Sequence, residues 1–136
     1  MSLVRRAVLL SGAALLASSV TPAHAILGQT SQTSTDPGGN SRPAVSVTLT
    51  ASAVGAEYHC SAVSTVVAIT TGVVCDLYQG SVHVASNNNS NPGQAAATGG
   101  FYLATGIGLT ACVTGTTSPA SGGTFTNHIC AEVLLA

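Results

Sequence analysis

Four cysteines, Cys60, Cys75, Cys112 and Cys130, are the residues here whose type and spacing most directly imply chemistry. They are separated by 14, 36 and 17 intervening residues. Zinc sites favour close pairs such as C-x-x-C, and none occurs, so the spacing argues against a metal and for two disulfides. The other reactive groups are scattered. His59, His83 and His128 with Asp76 are the only candidates for a Ser-His-Asp arrangement, and no G-x-S-x-G elbow accompanies them. Glu57 with His59, and His128 with Glu132, fall on shared strand faces, but two ligands do not make a metal site. Gly99-Gly100 and Gly106-Ile107-Gly108 lack the following helix that a phosphate-binding loop requires. These absences predict a protein that is not an enzyme and takes no cofactor and no metal.

The elements that must position these residues read as strands. Val45, Val47, Leu49 and Ala51 alternate with Ser46, Thr48 and Thr50, the period of a half-buried strand. Ala56, Tyr58, Cys60 and Ala62 alternate with Glu57, His59 and Ser61; Val73, Cys75 and Leu77 alternate with Val74, Asp76 and Tyr78. A short β-branched run covers Val66 to Ile69, with Gly72 marking a turn or bulge, and Val82 and Val84 flank His83 in a brief strand. Asn87 to Gly93 reads as a loop, because Asn and Gly tolerate left-handed backbone angles and Pro92 blocks pairing. Ala95 to Leu103 resumes extended structure, with Phe101 and Leu103 expected in the core. Ile107 to Thr114 and Phe125 to Val133 supply the last two strands, about a turn at Ser118 to Gly123. About seven short strands and no strong helix indicate a β-sandwich or small barrel, and the expectation is an immunoglobulin-like β-sandwich with two disulfides.

Alternation also ranks the disulfide pairings. Cys60 and Cys75 fall on apolar faces, whereas Cys112 and Cys130 fall on Thr-rich faces and sit symmetrically about Ser121. Like faces pair more readily, since the two Cβ atoms must approach within about 4 Å. The favoured pairs are therefore Cys60–Cys75 and Cys112–Cys130, with Cys60–Cys112 and Cys75–Cys130 as the rival.

Composition sets the remaining bounds. The chain has 136 residues, 46% hydrophobic and only 5% charged. Met1 to Ala25 has the three-part pattern of a secretory signal: Arg5 and Arg6, the apolar run Ala7 to Val20, and Ala23-His24-Ala25 before the cut. That run is too short to span a bilayer, which takes about 20 apolar residues. Residues 26–43, rich in Ser, Thr, Gly and Asn, read as a flexible leader, and residues 44–136 as the folded domain. Removal of 1–25 leaves Arg42 against Asp36, Glu57, Asp76 and Glu132, with no lysine. Nucleic acid is excluded as a partner because no cluster of cations exists to displace its counterions. The prediction is a secreted extracellular protein with no transmembrane segment.

The strands Tyr58-His59-Cys60-Ser61-Ala62, Val73-Val74-Cys75-Asp76-Leu77 and Leu109-Thr110-Ala111-Cys112-Val113, with the final Cys130, resemble the small secreted two-disulfide β-sandwich proteins of high-GC Gram-positive bacteria. In length, export, local disulfides and low charge the chain is also similar in style to the neocarzinostatin-type apoproteins, although Cys112 and Cys130 lie further apart than the second pair of that family. The resemblance implies a fold and a location more than an activity. Three functions follow as expectations. The first is a non-catalytic domain that contacts another protein or the cell envelope. The second is a carrier of a small apolar ligand, in a cleft lined by Tyr58, Tyr78, Phe101 and Tyr102. The third is a self-assembling surface protein, because edge strands without Lys are poorly guarded against pairing.

Overall fold

The computed structural model describes residues 30–103 and 108–133, and the segment read as a signal lies outside them. Eight antiparallel strands form two four-stranded sheets: β1 (Thr30–Asp36), β2 (Ala44–Ser52), β3 (Gly55–Val63), β4 (Ala68–Gln79), β5 (Val82–Pro92), β6 (Ala95–Tyr102), β7 (Leu109–Pro119) and β8 (Phe125–Val133). The first sheet has the order β1-β2-β3-β6 and the second β5-β4-β7-β8. The chain crosses between sheets after β3, after β5 and after β6. No helix among the described residues is long and apolar enough to cross a membrane.

The alternating patterns place the core. Val45, Val47, Leu49 and Ala51 of β2, with Ala56, Tyr58 and Ala62 of β3, point inward from the first sheet. Val73 and Leu77 of β4, Leu109, Ala111 and Val113 of β7, and Ala131 and Val133 of β8 meet them from the second. Each fully buried Val or Leu contributes roughly 1.5–3 kcal/mol by leaving water. The polar groups drawn inside are paired. Ser64 Oγ lies 2.6 Å from Thr71 Oγ1 and 2.9 Å from Thr117 Oγ1, and Thr71 donates to Gly93 O at 2.7 Å. Pairing of this kind avoids the cost of an orphaned buried hydroxyl.

Both disulfides take the favoured connectivity. Cys60–Cys75 is fully inside and joins β3 to β4, one strand of each sheet. Cys112–Cys130 joins directly registered positions of the β7–β8 hairpin, with Cα atoms 4.0 Å apart.

Several expectations are corrected. Thr30–Asp36 is a strand, not part of a flexible leader, and pairs with β2 over its whole length. Its side chains carry no apolar period; backbone pairing holds it, with hydroxyl contacts Ser31–Thr50 (2.9 Å) and Thr33–Thr48 (3.0 Å). The asparagine run is not a loop, because β5 continues through Pro92 and turns only at Gly93. Asn87, Asn89 and Asn91 register with the inward-facing Cys75, Val73 and Thr71 and so face the other sheet. Asn89 Nδ2 donates to Ala97 O (3.1 Å) and Asn91 Nδ2 to Ala95 O (3.2 Å), both on β6. An edge strand tolerates Pro92 at its end, as edges do. Gly72 lies within β4, and the irregularities fall instead at Ala68/Thr70 and Leu77/Tyr78. Phe101 and Leu103 are not core residues: they are 55% and 79% exposed, since Phe101 shares the outward face with Ala97 and Gly99.

Candidate functional site

Register assigns every outward side chain to a row across its sheet. On the first sheet three rows run β1-β2-β3-β6: Ser31, Thr50, Glu57, Phe101; Thr33, Thr48, His59, Gly99; and Thr35, Ser46, Ser61, Ala97. Neighbours in a row are about 4.8 Å apart and successive rows roughly 7 Å apart, as strand spacing and rise require. Seven of these twelve grid positions carry hydroxyls; Glu57, His59, Phe101, Gly99 and Ala97 hold the others, and the adjoining row Ala44, Val63, Ala95 is apolar.

A shallow open depression lies on this grid, bordered by Ser46, Thr48, His59, Ser61 and Ala97 and, from the inward-facing register, by Cys60 and Thr98. Small side chains on β6 create it, next to the larger His59. Gly99 sits opposite His59 in register, and a Cβ there would lie 2.7 Å from His59 Nδ1 and 2.5 Å from Tyr58 O. The imidazole therefore rests against bare backbone. Its Nε2 is 3.0 Å from Glu57 Oε2, and both side chains are more than half exposed. An exposed pair of this kind adds little stability, so both groups stay free to exchange partners.

The outer face of the second sheet also carries hydroxyls, with more titratable groups among them. Its rows, in the order β5-β4-β7-β8, are His83, Tyr78, Thr110, Glu132; Ser86, Asp76, Cys112, Cys130; and Asn88, Val74, Thr114, His128. His83 Nε2 is 2.9 Å from Asp76 Oδ1, and the His83 ring packs on Tyr78 with centroids 5.1 Å apart. His128 Nδ1 is 2.9 Å from Thr114 Oγ1. Of the three histidines weighed for a Ser-His-Asp set, only His83 meets Asp76. Among the described residues no serine, threonine or cysteine is hydrogen-bonded to His83, so the acid–imidazole pair has no nucleophile positioned on it.

The four aromatics expected to line an apolar cleft are not brought to one. Tyr58 is buried on β3, and its hydroxyl donates to Asn87 Oδ1 across the gap between sheets. Gly100 makes room for this bond, since a Cβ there would come within 2.8 Å of both oxygens. Burial, and secondarily the Asp76 charge, push the Tyr58 phenol above its ordinary value. Tyr78 points outward from the second sheet and Phe101 outward from the first, while Tyr102 packs partly against the core. None of the four borders the depression. Sequence reasoning missed the depression itself, because Ser, Thr and Ala in alternation signal only a polar strand face. Comparison with family models, with curated proteins and with solved structures finds no match.

Proposed function

We propose that the protein is a secreted, non-catalytic domain that binds a neutral, hydroxyl-rich polymer of the cell envelope, a glycan, through the outer face of β1-β2-β3-β6. The observation that carries this reading is the hydroxyl grid with its depression at His59, Ala97 and Thr98. A polyol needs many donors and acceptors, little charge, and a ring for its apolar side to lie on. The grid offers hydroxyls on three strands, the His59–Glu57 pair for directed bonds, and exposed Phe101 next to Glu57 as the ring. Among the described residues no Lys or Arg stands in the three rows, so an anionic ligand finds no fixed positive charge there. A small apolar ligand finds no enclosed aromatic pocket among the described residues.

Two disulfides suit an oxidising extracellular compartment, in keeping with the signal pattern of residues 1–25. The immunoglobulin-like reading of the fold is supported by the way β4-β5 and β7-β8 hairpins share a sheet while β6 returns to the other.

Co-sedimentation with insoluble bacterial cell-wall glycan tests the function. The protein should pellet with the glycan and be released by soluble fragments of it. Ala97→Trp, which fills the depression from the outside of an edge strand, should weaken binding at least tenfold; Thr48→Val, which removes one hydroxyl at constant shape, should weaken it a few-fold. Binding that is absent, or unchanged in a folded Ala97→Trp variant, contradicts the proposal.

A further inference from the structure

In the folded state the Cys112–Cys130 disulfide joins positions that the backbone ladder already holds side by side. It bridges registered positions in the middle of a hairpin whose nine residue pairs run from Leu109–Val133 to Thr117–Phe125. Cys130 is exposed while its partner Cys112 is buried at 6% exposure, so the disulfide is open to solvent from the Cys130 side; Cys60 and Cys75 are both sealed between the sheets. Exposed disulfides are the ones that exchange with external thiols, because a thiolate can reach the sulfur.

A third ligand-type atom stands beside it. His128 precedes Cys130 by two residues on the same face of β8, and its Nε2 is 3.6 Å from Cys130 Sγ. The two sulfurs and a His128 ring nitrogen all lie within 4.8 Å of one another. His128 is also held in the orientation a ligand needs. When its Nδ1–H donates to Thr114 Oγ1, at 2.9 Å, the Nε2 lone pair is directed toward the sulfurs. A hydrogen bond on the remote ring nitrogen is how metal-binding histidines are commonly fixed.

We propose that Cys112, Cys130 and His128 form a redox-gated zinc site. In the disulfide state the sulfurs are bonded to each other and the site is closed. A dithiol reductant opens it: the reductant's two thiols become a disulfide, the Cys112–Cys130 bond takes up two electrons and two protons, and two cysteine thiols result. Zn2+ then binds both thiolates and the imidazole, displacing two protons to solvent, with water in the fourth position. Cα atoms 4.0 Å apart keep the separated thiolates close enough to share one ion, since Zn–S bonds are about 2.3 Å. The hairpin ladder and the intact Cys60–Cys75 link keep the fold in place while the site opens. The spacing of the cysteines gives no hint of this site, because its third ligand is defined by strand register.

The test uses mild dithiothreitol, alkylation with mass-spectrometric mapping, and Zn2+ titration against a chromophoric chelator. Cys112 and Cys130 should be labelled first while Cys60 and Cys75 stay joined. The dithiol protein should bind one Zn2+ per chain, and the disulfide form should not compete with the chelator. His128→Ala should weaken Zn2+ binding at least tenfold with an unchanged circular dichroism spectrum; His128→Asn serves as a second variant if alanine disturbs the strand. Reduction of Cys60–Cys75 first, zinc held no better by the dithiol than by the disulfide form, or indifference to both His128 variants would overturn the proposal.

Discussion

The two outer faces of the sandwich are built on the same backbone lattice, both carry hydroxyls, and they differ in how many titratable groups stand among them. The first sheet presents Ser31, Thr33, Thr35, Ser46, Thr48, Thr50 and Ser61, with Glu57 and His59 as its only titratable groups in the three rows. The second presents Asp76, Tyr78, His83, His128 and Glu132, among Ser86, Asn88, Thr110 and Thr114, around a cystine open on its Cys130 side. In a chain with so few charges, most of the titratable side chains gather on the second face, and the first keeps the single His59–Glu57 pair. The comparison teaches that scarcity of charge does not mean uniformity of surface. Between the faces, Cys60–Cys75 and the core belong to neither and carry the stability of both.

The largest effect that would sharpen this division is on the disulfides. Each closes a loop of similar length, 15 and 18 residues in separation, so the chain-entropy contribution is roughly 3 kcal/mol for either. Only Cys60→Ala with Cys75→Ala also leaves a cavity inside the sandwich, adding about 1–3 kcal/mol. Urea unfolding should therefore show a markedly lower midpoint for that double variant than for Cys112→Ala with Cys130→Ala. Equal midpoints would mean that the surface cystine is as structural as the buried one.

A smaller effect is expected at the seam where edge strands β5 and β6 meet. Asn89→Ala and Asn91→Ala each remove a bond to a β6 carbonyl and should cost about 0.5–1.5 kcal/mol. They also uncover backbone acceptors on an edge without lysine, so the double variant should self-associate more on size-exclusion chromatography. Unchanged elution and stability would show that the asparagines do not guard the seam.

The smallest effect is electrostatic and lies at the opposite seam, between β1 and β8. Asp36 Oδ1 accepts from Gly38 N at 2.9 Å, and this bond, with help from Asn127 and the nearby Arg42 charge, holds its carboxyl below the usual value of 3.8. A depressed folded-state value means that Asp36 adds stability above about pH 4, and that the gain is lost as pH falls through the folded-state value. Asp36→Asn should lower Tm slightly in the neutral region, where the carboxylate is ionised, and leave the low-pH end nearly unchanged, so that the acid limb flattens. A steeper acid limb would reverse the assigned sign.

Much of the fold was legible from alternation. Val45 to Ala51, Tyr58 to Ala62 and Val73 to Leu77 each carry enough β-branched or large apolar residues for period two to stand out, and the cysteine faces followed from them. The misses share a physical cause. Thr30–Asp36 is polar on both faces, so its pairing is dictated by β2 and not by burial. Asn87, Asn89 and Asn91 do alternate, but their inward side satisfies carbonyls of another strand, a role that reads as a turn in composition alone. The size of Phe101 points to the core, while the register set by Ala96 and Ala62 turns it outward. Of the aromatic set, Tyr58 was rightly placed on an inward face, yet no sequence signal could show that its hydroxyl ends on Asn87. The depression at His59 and Ala97 is assembled across three strands from common residue types, which is why no motif announced it.

Chemical-shift mapping of the isotopically labelled protein with soluble cell-wall glycan fragments tests the central claim most directly. The account predicts progressive shifts at Ser46, Thr48, His59, Ser61, Ala97 and Thr98, with the β4-β5-β7-β8 outer face unmoved. Shifts centred on Asp76, His83 and His128, or none at all at saturating fragment, would contradict it.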